Sequence, residues 1–454
     1  MIEPLIVEIN TKRSAYEIFS IFSKEKEMIF FDSSLEHERL SQYSFIAFNP
    51  FLTMKYKEGS CVINDQPYIC NIFDELNKTI KKYSFINNTN FPFIGGGMGY
   101  FSYDLVREME RLPNLSEEII NIPTSYFNFY DTVIIYDHKQ RKVFVSALGI
   151  QQDKEQSVLD IKNKILNKVS NSTIEKDLAK KVVFNSRFTR ESYIETVEKV
   201  RQFIKSGDVY ITNLTHTFTT KIDQAPLSIY EKLRTINPAP FSAFMQLDGF
   251  NILSSSPERF LKITNGHVET RPIKGTRPRG KTVEEDERNK EALILSEKDK
   301  SELLMIVDLE RNDLSKVCKP HTVKVEGLFE LETYATVYHL AATIKGRLDE
   351  SYTAIDCIKA CFPGGSITGT PKIRSMEIIE ELEPTQRSIY TGCIGYLGFD
   401  GNADMNIVIR TIVEKDGQVY IGVGGGVTWE SDCLEEYQET LDKASALFAS
   451  INQK

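Results

Sequence analysis

The amino-acid sequence predicts an α+β fold, with strands and helices segregated along the chain. Short runs rich in β-branched and aromatic residues, separated by turn residues, fill most of the first 150 residues. Helical periodicity becomes prominent only after Thr189. Regular βαβ alternation, which a Rossmann or barrel fold requires, is missing, and no repeat at solenoid or propeller spacing is present.

Five β-type runs lie in an expected N-terminal region, residues 1–150. They cover residues 29–31, 44–48, 51–56, 132–136 and 142–146. The turn segments Asn-Pro and His-Lys-Gln-Arg separate neighbouring runs, which predicts antiparallel pairing across each. A polar helix at 153–171 and a charged stretch after it predict a connecting segment over residues 151–188.

Residues 189–454 are predicted to form the catalytic region. Its first helix has apolar residues from Tyr193 to Ile204 on one face and ends at Gly207. Strands are then expected at 209–214, 243–247, 250–254 and 267–270, a long helical region at 285–314, and two helices that open at Pro371 and near Ser431.

Charge and cysteine content exclude several classes of protein. The formal net charge of −9 argues against nucleic-acid or anionic-membrane partners, which attract cationic surfaces. The N-terminal segment is acidic, unlike a signal peptide, and no apolar run reaches the roughly 20 residues of a membrane span. Seven cysteines without a CxxC pair predict free thiols and a cytoplasmic protein.

The segment 271–280, Arg-Pro-Ile-Lys-Gly-Thr-Arg-Pro-Arg-Gly, is expected to be a stiff turn with Lys274 among three arginines. Like-charge crowding and partial burial disfavour an ammonium, so the pattern predicts a nucleophilic amine. A solvated basic loop is the alternative that local composition leaves open.

Two glycine-rich segments precede helices. In 362–372, Thr370 is expected as helix N-cap and Pro371 as first helical residue, while the absence of Lys-Ser/Thr excludes a P-loop. In 422–427, three successive glycines at 424–426 predict a loop whose amides approach a ligand. Two such loops favour a small anionic ligand, with capped structural turns as the alternative.

Acidic residues occupy inward-facing or clustered positions on two predicted helices. Ser296 is expected to cap the first, and Glu302 falls on its apolar face. The last helix carries Glu436, Glu439 and Lys443 close together. Because oxygen-only donors suit Mg²⁺, these carboxylates predict a magnesium site, beside the alternative of a solvated acidic face.

Eight ordered segments together resemble the chorismate-utilising enzymes, the family of anthranilate synthase component I and aminodeoxychorismate synthase component I. They are 256–260 (Ser-Pro-Glu-Arg-Phe), 272–280, 296–313, 338–340, 362–372, 390–398, 407–410 and 424–443. The resemblance implies that family's fold, two antiparallel β-sheets packed together with helices on the outside.

The resemblance also implies roles for individual residues. Glu302 and Glu439, with Glu436 close by, are implied as Mg²⁺ ligands. Glu258 is implied as the general acid for a departing hydroxyl, and His339 as a catalytic histidine beside the substrate ring. The groups implied to bind the two carboxylates of chorismate are Gly275, Thr276, Tyr390, Arg410, Gly424, Gly425, Gly426 and Lys443.

Lys274 distinguishes branches of the family. Pro-Ile-Lys-Gly-Thr resembles the aminodeoxychorismate synthases, in which this lysine attacks C2 of chorismate before ammonia attacks C4, whereas anthranilate synthases typically carry alanine there. The resemblance therefore implies a transferase that makes 4-amino-4-deoxychorismate for folate biosynthesis, with anthranilate synthase as the alternative. Ammonia would come from a glutamine amidotransferase subunit. Ile211 stands where glutamine is common, so no polar role is expected there.

A tryptophan pocket is a further implication. Its candidate residues are Ser33, Tyr43, Ser44, Pro240 and Phe241. Gln42 stands where relatives commonly carry arginine, so an ordinary sheet edge with turns remains the alternative.

Overall fold

The computed structural model describes residues 2–35, 40–168, 182–334 and 337–452. The strands are β1 (Leu5–Ile9), β2 (Ile29–Asp32), β3 (Tyr43–Ala47), β4 (Leu52–Lys57), β5 (Ser60–Ile63), β6 (Gln66–Ile69), β7 (Gly96–Phe101), β8 (Ser125–Tyr130), β9 (Thr132–Asp137), β10 (Lys142–Ala147), β11 (Asn185–Ser186), β12 (Ile211–Lys221), β13 (Phe241–Leu247), β14 (Phe250–Ser256), β15 (Arg259–Thr264), β16 (His267–Arg271), β17 (Ile273–Pro278), β18 (Lys324–Thr333), β19 (Val337–Arg347), β20 (Gly369–Thr370), β21 (Cys393–Gly398), β22 (Ala403–Asn406), β23 (Thr411–Lys415) and β24 (Gln418–Val427). The α-helices are α1 (Ala15–Phe22), α2 (Ile72–Lys82), α3 (Lys154–Asn167), α4 (Arg190–Ser206), α5 (Pro226–Ile236), α6 (Val283–Ile294), α7 (Glu297–Ser315), α8 (Ala354–Cys361), α9 (Lys372–Leu382) and α10 (Cys433–Ile451).

The strands form two large antiparallel sheets. The first runs β1-β10-β9-β3-β2-β13-β14-β23-β24-β12-β11, with β20 added to β12. The second runs β17-β19-β16-β15-β22-β21-β7-β8-β4-β5-β6, with β18 beside β19. Strands from residues 1–150 and from residues 189–454 are neighbours in both sheets. This architecture confirms the predicted α+β fold of two antiparallel sheets with helices.

Successive side chains along the strands of the first sheet point to opposite faces, and each face packs into its own hydrophobic core. Ile29 belongs to a core shared with the second sheet, whereas its neighbour Phe30 belongs to a core shared with helices. The second core includes Phe19 of α1, Ile161 of α3 and Leu447 of α10. These helices therefore cover the outer face of the first sheet. Within the described ranges, no helix is long and apolar enough to cross a membrane.

Several local predictions are confirmed. Helix α4 begins after its N-cap Thr189 and ends at Gly207, whose φ of 85° is left-handed. Ser296 caps α7 as predicted. Strands β9 and β10 pair antiparallel across the His-Lys-Gln-Arg turn. Residues 169–171 of the predicted connecting helix lie outside the described residues.

Other local predictions are wrong. The runs on either side of Asn-Pro do not pair, because β3 joins the first sheet and β4 the second. The helical region expected over 285–314 is present, although it is divided into two helices, α6 and α7. Helix α9 starts at Lys372 after an N-cap Pro371, and Thr370 belongs to β20 instead of capping it. A disulfide joins Cys61 to Cys70, so the prediction of seven free thiols is wrong for this pair.

Two segments expected as loops belong to sheets. The predicted turn around Lys274 is mostly edge strand β17, paired with β19 and interrupted by a register shift at Gly275, whose φ is 71°. The predicted glycine loop 422–427 lies inside β24, where β12 supplies a continuous antiparallel partner. A neighbouring strand thus satisfies the backbone groups that a loop would have exposed.

Candidate active site

Gly425 and Gly426 of β24 allow a cluster of acids and Lys274 to lie close to the strand backbone. A Cβ atom added to Gly426 would lie 3.3 Å from Lys274 Nζ and 3.0 Å from Ile211 Cδ1. A Cβ atom added to Gly425 would lie 3.1 Å from Glu436 Oε2 and 3.5 Å from Glu439 Oε1. Successive residues of a strand project to opposite faces, so Gly426 lies against Lys274 and Gly425 lies against the carboxylates. The lack of side chains at both positions lets these groups approach the backbone of β24 closely.

Lys274 reaches the glycine-rich segment that precedes α9. Its Nζ donates a hydrogen bond of 3.0 Å to the backbone carbonyl of Ser366. Burial raises the pKa of Glu258 and Glu302, and the charge of Lys274 opposes that increase. Lys443 is the main cause of the lowered pKa of Glu439, and Lys274 adds to it. The lysine thus lies among carboxylates.

The prediction that arginines crowd Lys274 with positive charge is wrong. Each guanidinium is paired with carboxylates that compensate its charge. The pairs are Arg271 with Glu332 and Glu330, Arg277 with Asp299 at 2.8 Å, and Arg279 with Asp286 at 2.6 Å.

Glu258 is a buried carboxylate beside Lys274, with 5% of the residue exposed. The backbone N–H of Ile273 donates to its Oε1 at 3.4 Å. Burial raises the pKa of Glu258, while hydrogen bonding to the Ser366 side chain and the charge of Lys274 oppose the increase. A carboxyl group in such a setting can hold a proton and release it to a leaving group.

Thr276 and His339 meet across the edge pair of strands. They are register partners in β17 and β19, and Thr276 Oγ1 shares a 2.9 Å hydrogen bond with His339 Nδ1. Burial lowers the pKa of His339 to about 4, so its imidazole is neutral near pH 7. A neutral imidazole offers this position one donor and one acceptor.

Glu302, Glu436 and Glu439 converge from two helices. Ser431 Oγ donates to Glu436 Oε1 at 2.6 Å, whereas the buried Oε2 has no hydrogen-bond partner among the described residues. Burial raises the pKa of both Glu302 and Glu436. The adjacent ammonium of Lys443, 2.5 Å away, lowers the pKa of Glu439.

These carboxylates suit a hard cation. Among the described residues, no group of three or more His, Cys, Asp or Glu side chains already surrounds a common metal position. The donor set nevertheless consists of oxygens, and the unpartnered Oε2 of Glu436 needs a cation or a donor. The chemistry of the residues therefore fits Mg²⁺.

The remaining predicted ligand-binding residues surround the glycine stretch of β24. A Cβ atom at Gly422 would overlap the half-buried ring of Tyr390. Lys443 Nζ donates to the carbonyl of Gly424 at 2.8 Å, and Arg410 Nη1 donates to the carbonyl of Lys443. Burial raises the pKa of Tyr390 and lowers that of Arg410. Two cations and a phenol thus lie around one strand segment.

A buried ion pair connects β12 to the glycine-rich segment at 362–372. Arg387 binds Glu383 at 2.6 Å and donates to the carbonyls of Asn213 and Ile367. Glu383 in turn accepts the backbone N–H of Thr215 at 2.8 Å. The pair therefore ties β12 to the glycine-rich segment that holds Lys274.

Sequence reasoning missed two contacts of this site. The role of the Ser366 carbonyl could not be predicted from residue type, because every residue has a backbone carbonyl. Lys298, which lies near both Glu302 and Glu436, could have been found from its position one helical turn before Glu302.

The candidate tryptophan pocket forms a separate cavity between the sheets. Four of its five predicted residues line the cavity: Ser33, Tyr43, Pro240 and Phe241. Ser44 instead supports it, since its Oγ accepts the backbone N–H of Ser33 at 3.0 Å. Asp32 also lines the cavity, but its Oδ2 accepts hydrogen bonds from Arg234 Nε at 2.8 Å and from the Tyr230 hydroxyl at 3.2 Å, so this carboxylate is already paired with a cation.

Comparison with known proteins identifies relatives along nearly the whole chain. Residues 26–449 match the family described as chorismate binding enzyme. Aminodeoxychorismate synthase component 1 of Bacillus subtilis (strain 168) is 37% identical over 91% of this chain and 90% of its own. Anthranilate synthase component 1 of Acetivibrio thermocellus is 35% identical over 96% and 92%.

A solved structure gives the same result for the fold. Anthranilate synthase component I from Streptococcus pneumoniae TIGR4 superposes with a TM-score of 0.81 and 31% identity, covering 91% of this chain and 93% of that one.

Proposed function

This chain belongs to the family of chorismate-binding enzymes, and within that family we propose that it is an aminodeoxychorismate synthase component I. It converts chorismate and ammonia to 4-amino-4-deoxychorismate and water, in the route to 4-aminobenzoate and folate. One observation carries the proposal: the amine of Lys274 lies next to the open glycine strand, hydrogen-bonded to the same residue, Ser366, that interacts with the buried acid Glu258.

The proposed chemistry is a double displacement. Once Lys274 has given a proton to solvent, its amine forms a bond to C2, the ring double bond shifts, and the C4–O bond breaks as Glu258 protonates the departing hydroxyl. Glu258 then takes the proton released from the lysine nitrogen. Ammonia attacks C4, the double bond shifts back, and the C2–N bond breaks as the proton returns to the lysine.

Charge complementarity supports a dianionic substrate. Arg410 and Lys443 supply cations, Tyr390 and Thr276 supply hydroxyls, and the backbone of Gly275 and Gly424–Gly426 allows close approach. Neutral His339 would lie beside the ring. Glu302, Glu436 and Glu439 would hold Mg²⁺, which when bound neutralises a substrate carboxylate and withdraws charge from the ring.

Ammonia is proposed to come from a glutamine amidotransferase subunit. Support comes from the relatives, whose names designate them as component 1 of a synthase. We propose that catalysis takes place in the cytoplasm, because chorismate and glutamine are both small intracellular metabolites.

Product analysis tests the proposed function. With chorismate, ammonium and Mg²⁺, we expect 4-amino-4-deoxychorismate; without ammonium, we expect a covalent adduct at Lys274 in intact-protein mass spectra. Lys274→Ala should abolish the adduct, whereas Lys281→Ala, at the exposed position just after this segment, should retain it. Absence of any adduct under these conditions would contradict the covalent route.

Anthranilate synthase is the second candidate, because relatives of that name reach similar identity. It would release anthranilate and pyruvate. Fluorescence of anthranilate after incubation with chorismate and ammonium separates the two candidates, and a fluorescent product would overturn the first.

We also propose that the cavity lined by Ser33, Tyr43, Pro240 and Phe241 binds tryptophan. Its aromatic lining suits an indole ring.

A further inference from the structure

We propose that Lys298 competes with the divalent cation for the carboxylates of Glu302 and Glu436, so that this lysine limits how tightly the enzyme holds its metal. The inference rests on the proposed metal site. It assigns a function to a residue outside the predicted ligand set.

The geometry brings one ammonium to two acids from different helices. Lys298 and Glu302 lie one turn apart on α7, with Nζ 3.9 Å from Glu302 Oε1. The same Nζ lies 3.7 Å from Oε1 of Glu436 on α10. A single positive charge therefore spans the two carboxylates, as a bound cation would.

Lys298 covers the acids without satisfying them. Both distances exceed the 2.7–3.2 Å usual for an N–H···O hydrogen bond, so the attraction is mainly between charges. The second oxygen of Glu436 is buried and unpartnered among the described residues, beside the space left by Gly425. This orphaned acceptor is independent evidence that the acids are built for a ligand in addition to the lysine.

The exposure of the three side chains indicates which partner can leave. The Lys298 side chain is 41% exposed, compared with 11% for Glu302 and 4% for Glu436. A flexible ammonium on the solvent side can move into water, whereas the buried carboxylates cannot. A dication and an ammonium repel each other strongly at such separations. Metal binding should therefore expel Lys298.

Metal affinity measured without substrate tests the inference. We would titrate Mn²⁺ into the full-length protein, count free Mn²⁺ by electron paramagnetic resonance, and obtain Mg²⁺ affinity by competition. Lys298→Met should lower the dissociation constant at least about fivefold, the effect of removing a partly buried competing charge. Lys298→Arg should stay close to wild type.

Lys300→Met is the matched control. Lys300 lies on the same helix and pairs with the exposed Glu297 at 3.3 Å, so its removal should leave the dissociation constant unchanged. An unchanged or weaker affinity in Lys298→Met would overturn the inference. An equal gain in Lys300→Met would also overturn it, because net charge alone would then explain the effect.

Amine labelling supplies a second readout. Saturating Mg²⁺ should increase the reactivity of Lys298 toward an acylating reagent, quantified by peptide mass spectrometry; constant reactivity would contradict expulsion. Both measurements omit chorismate, so failure of the proposed reaction would be distinguishable: a protein that makes anthranilate could still show both effects.

Discussion

Glu310 provides a pH-dependent test of how the site is supported. It lies on α7 beneath the glycine-rich segment, where its Oε1 accepts the backbone N–H of Gly365 at 2.9 Å and its Oε2 contacts Thr270 Oγ1 at 3.4 Å. Burial raises the pKa of Glu310 from 4.5 to about 7; the ammonium of Lys372 opposes the increase and Asp313 adds to it. The neutral acid is therefore the form that the fold prefers near pH 6.

The size and sign of the effect follow from this shift. A carboxyl whose pKa rises from 4.5 to about 7 on folding has roughly 3 kcal/mol of linked free energy. The folded state binds the proton more tightly than the unfolded state. The stabilising contribution is thus complete below about pH 4.5 and is lost as the pH rises through about 7.

Glu310→Gln should remove this dependence while keeping the acceptor for Gly365. In urea unfolding followed by circular dichroism, we expect the variant to gain on the wild type by roughly 3 kcal/mol between about pH 5 and pH 8. Asp308→Asn removes a carboxylate from the exposed face of the same helix, and its difference from the wild type should be nearly constant. A constant difference for Glu310→Gln would refute the reasoning.

Three further predictions concern the acid, the supporting ion pair and the second cavity. Glu258→Gln should lower kcat about 100-fold or more with an unchanged unfolding midpoint, because an amide cannot protonate the leaving hydroxyl; steady-state turnover near the wild-type value would contradict this role. Arg387→Met should cost about 3–5 kcal/mol in urea unfolding, since it strands the buried carboxylate of Glu383, and the double variant Arg387→Met/Glu383→Leu should recover most of the loss. Phe241→Ala should weaken tryptophan binding in calorimetry about tenfold or more, because it removes an aromatic ring that lines the cavity, and equal affinities would exclude this cavity as the indole site.

Local patterns in the sequence predicted much of the catalytic region. Helix α4, the cap at Ser296 and the burial of Glu302 depend on periodicity and capping, which act between residues close in sequence. The glycines of β24 were recognised as a place of close approach, although their conformation was not. Their partner β12 is remote in the chain, so the distinction between a loop and a strand could not be made locally.

The environment of Lys274 also could not be predicted from residues close to it in sequence. Sequence proximity suggested that arginines crowd the lysine, yet Glu332, Asp299 and Asp286 neutralise them. The carboxyl groups whose pKa values are affected by Lys274 are those of Glu258, Glu302 and Glu439, and the last two are distant from it in sequence. Electrostatic interactions depend on distance in space and on burial.

By itself, the sequence determined the α+β class and the ordered segments that resemble a known family, and it suggested which residue types would suit a dianion and Mg²⁺. These depend on composition, spacing and motif order, all of which are properties of the linear chain. Only the tertiary structure decided that Lys274 meets the carbonyl of Ser366, that Glu436 keeps an unpartnered oxygen, and that Lys298 spans two helices. Such contacts join elements far apart in sequence, so they exist only once the sheets and helices have packed.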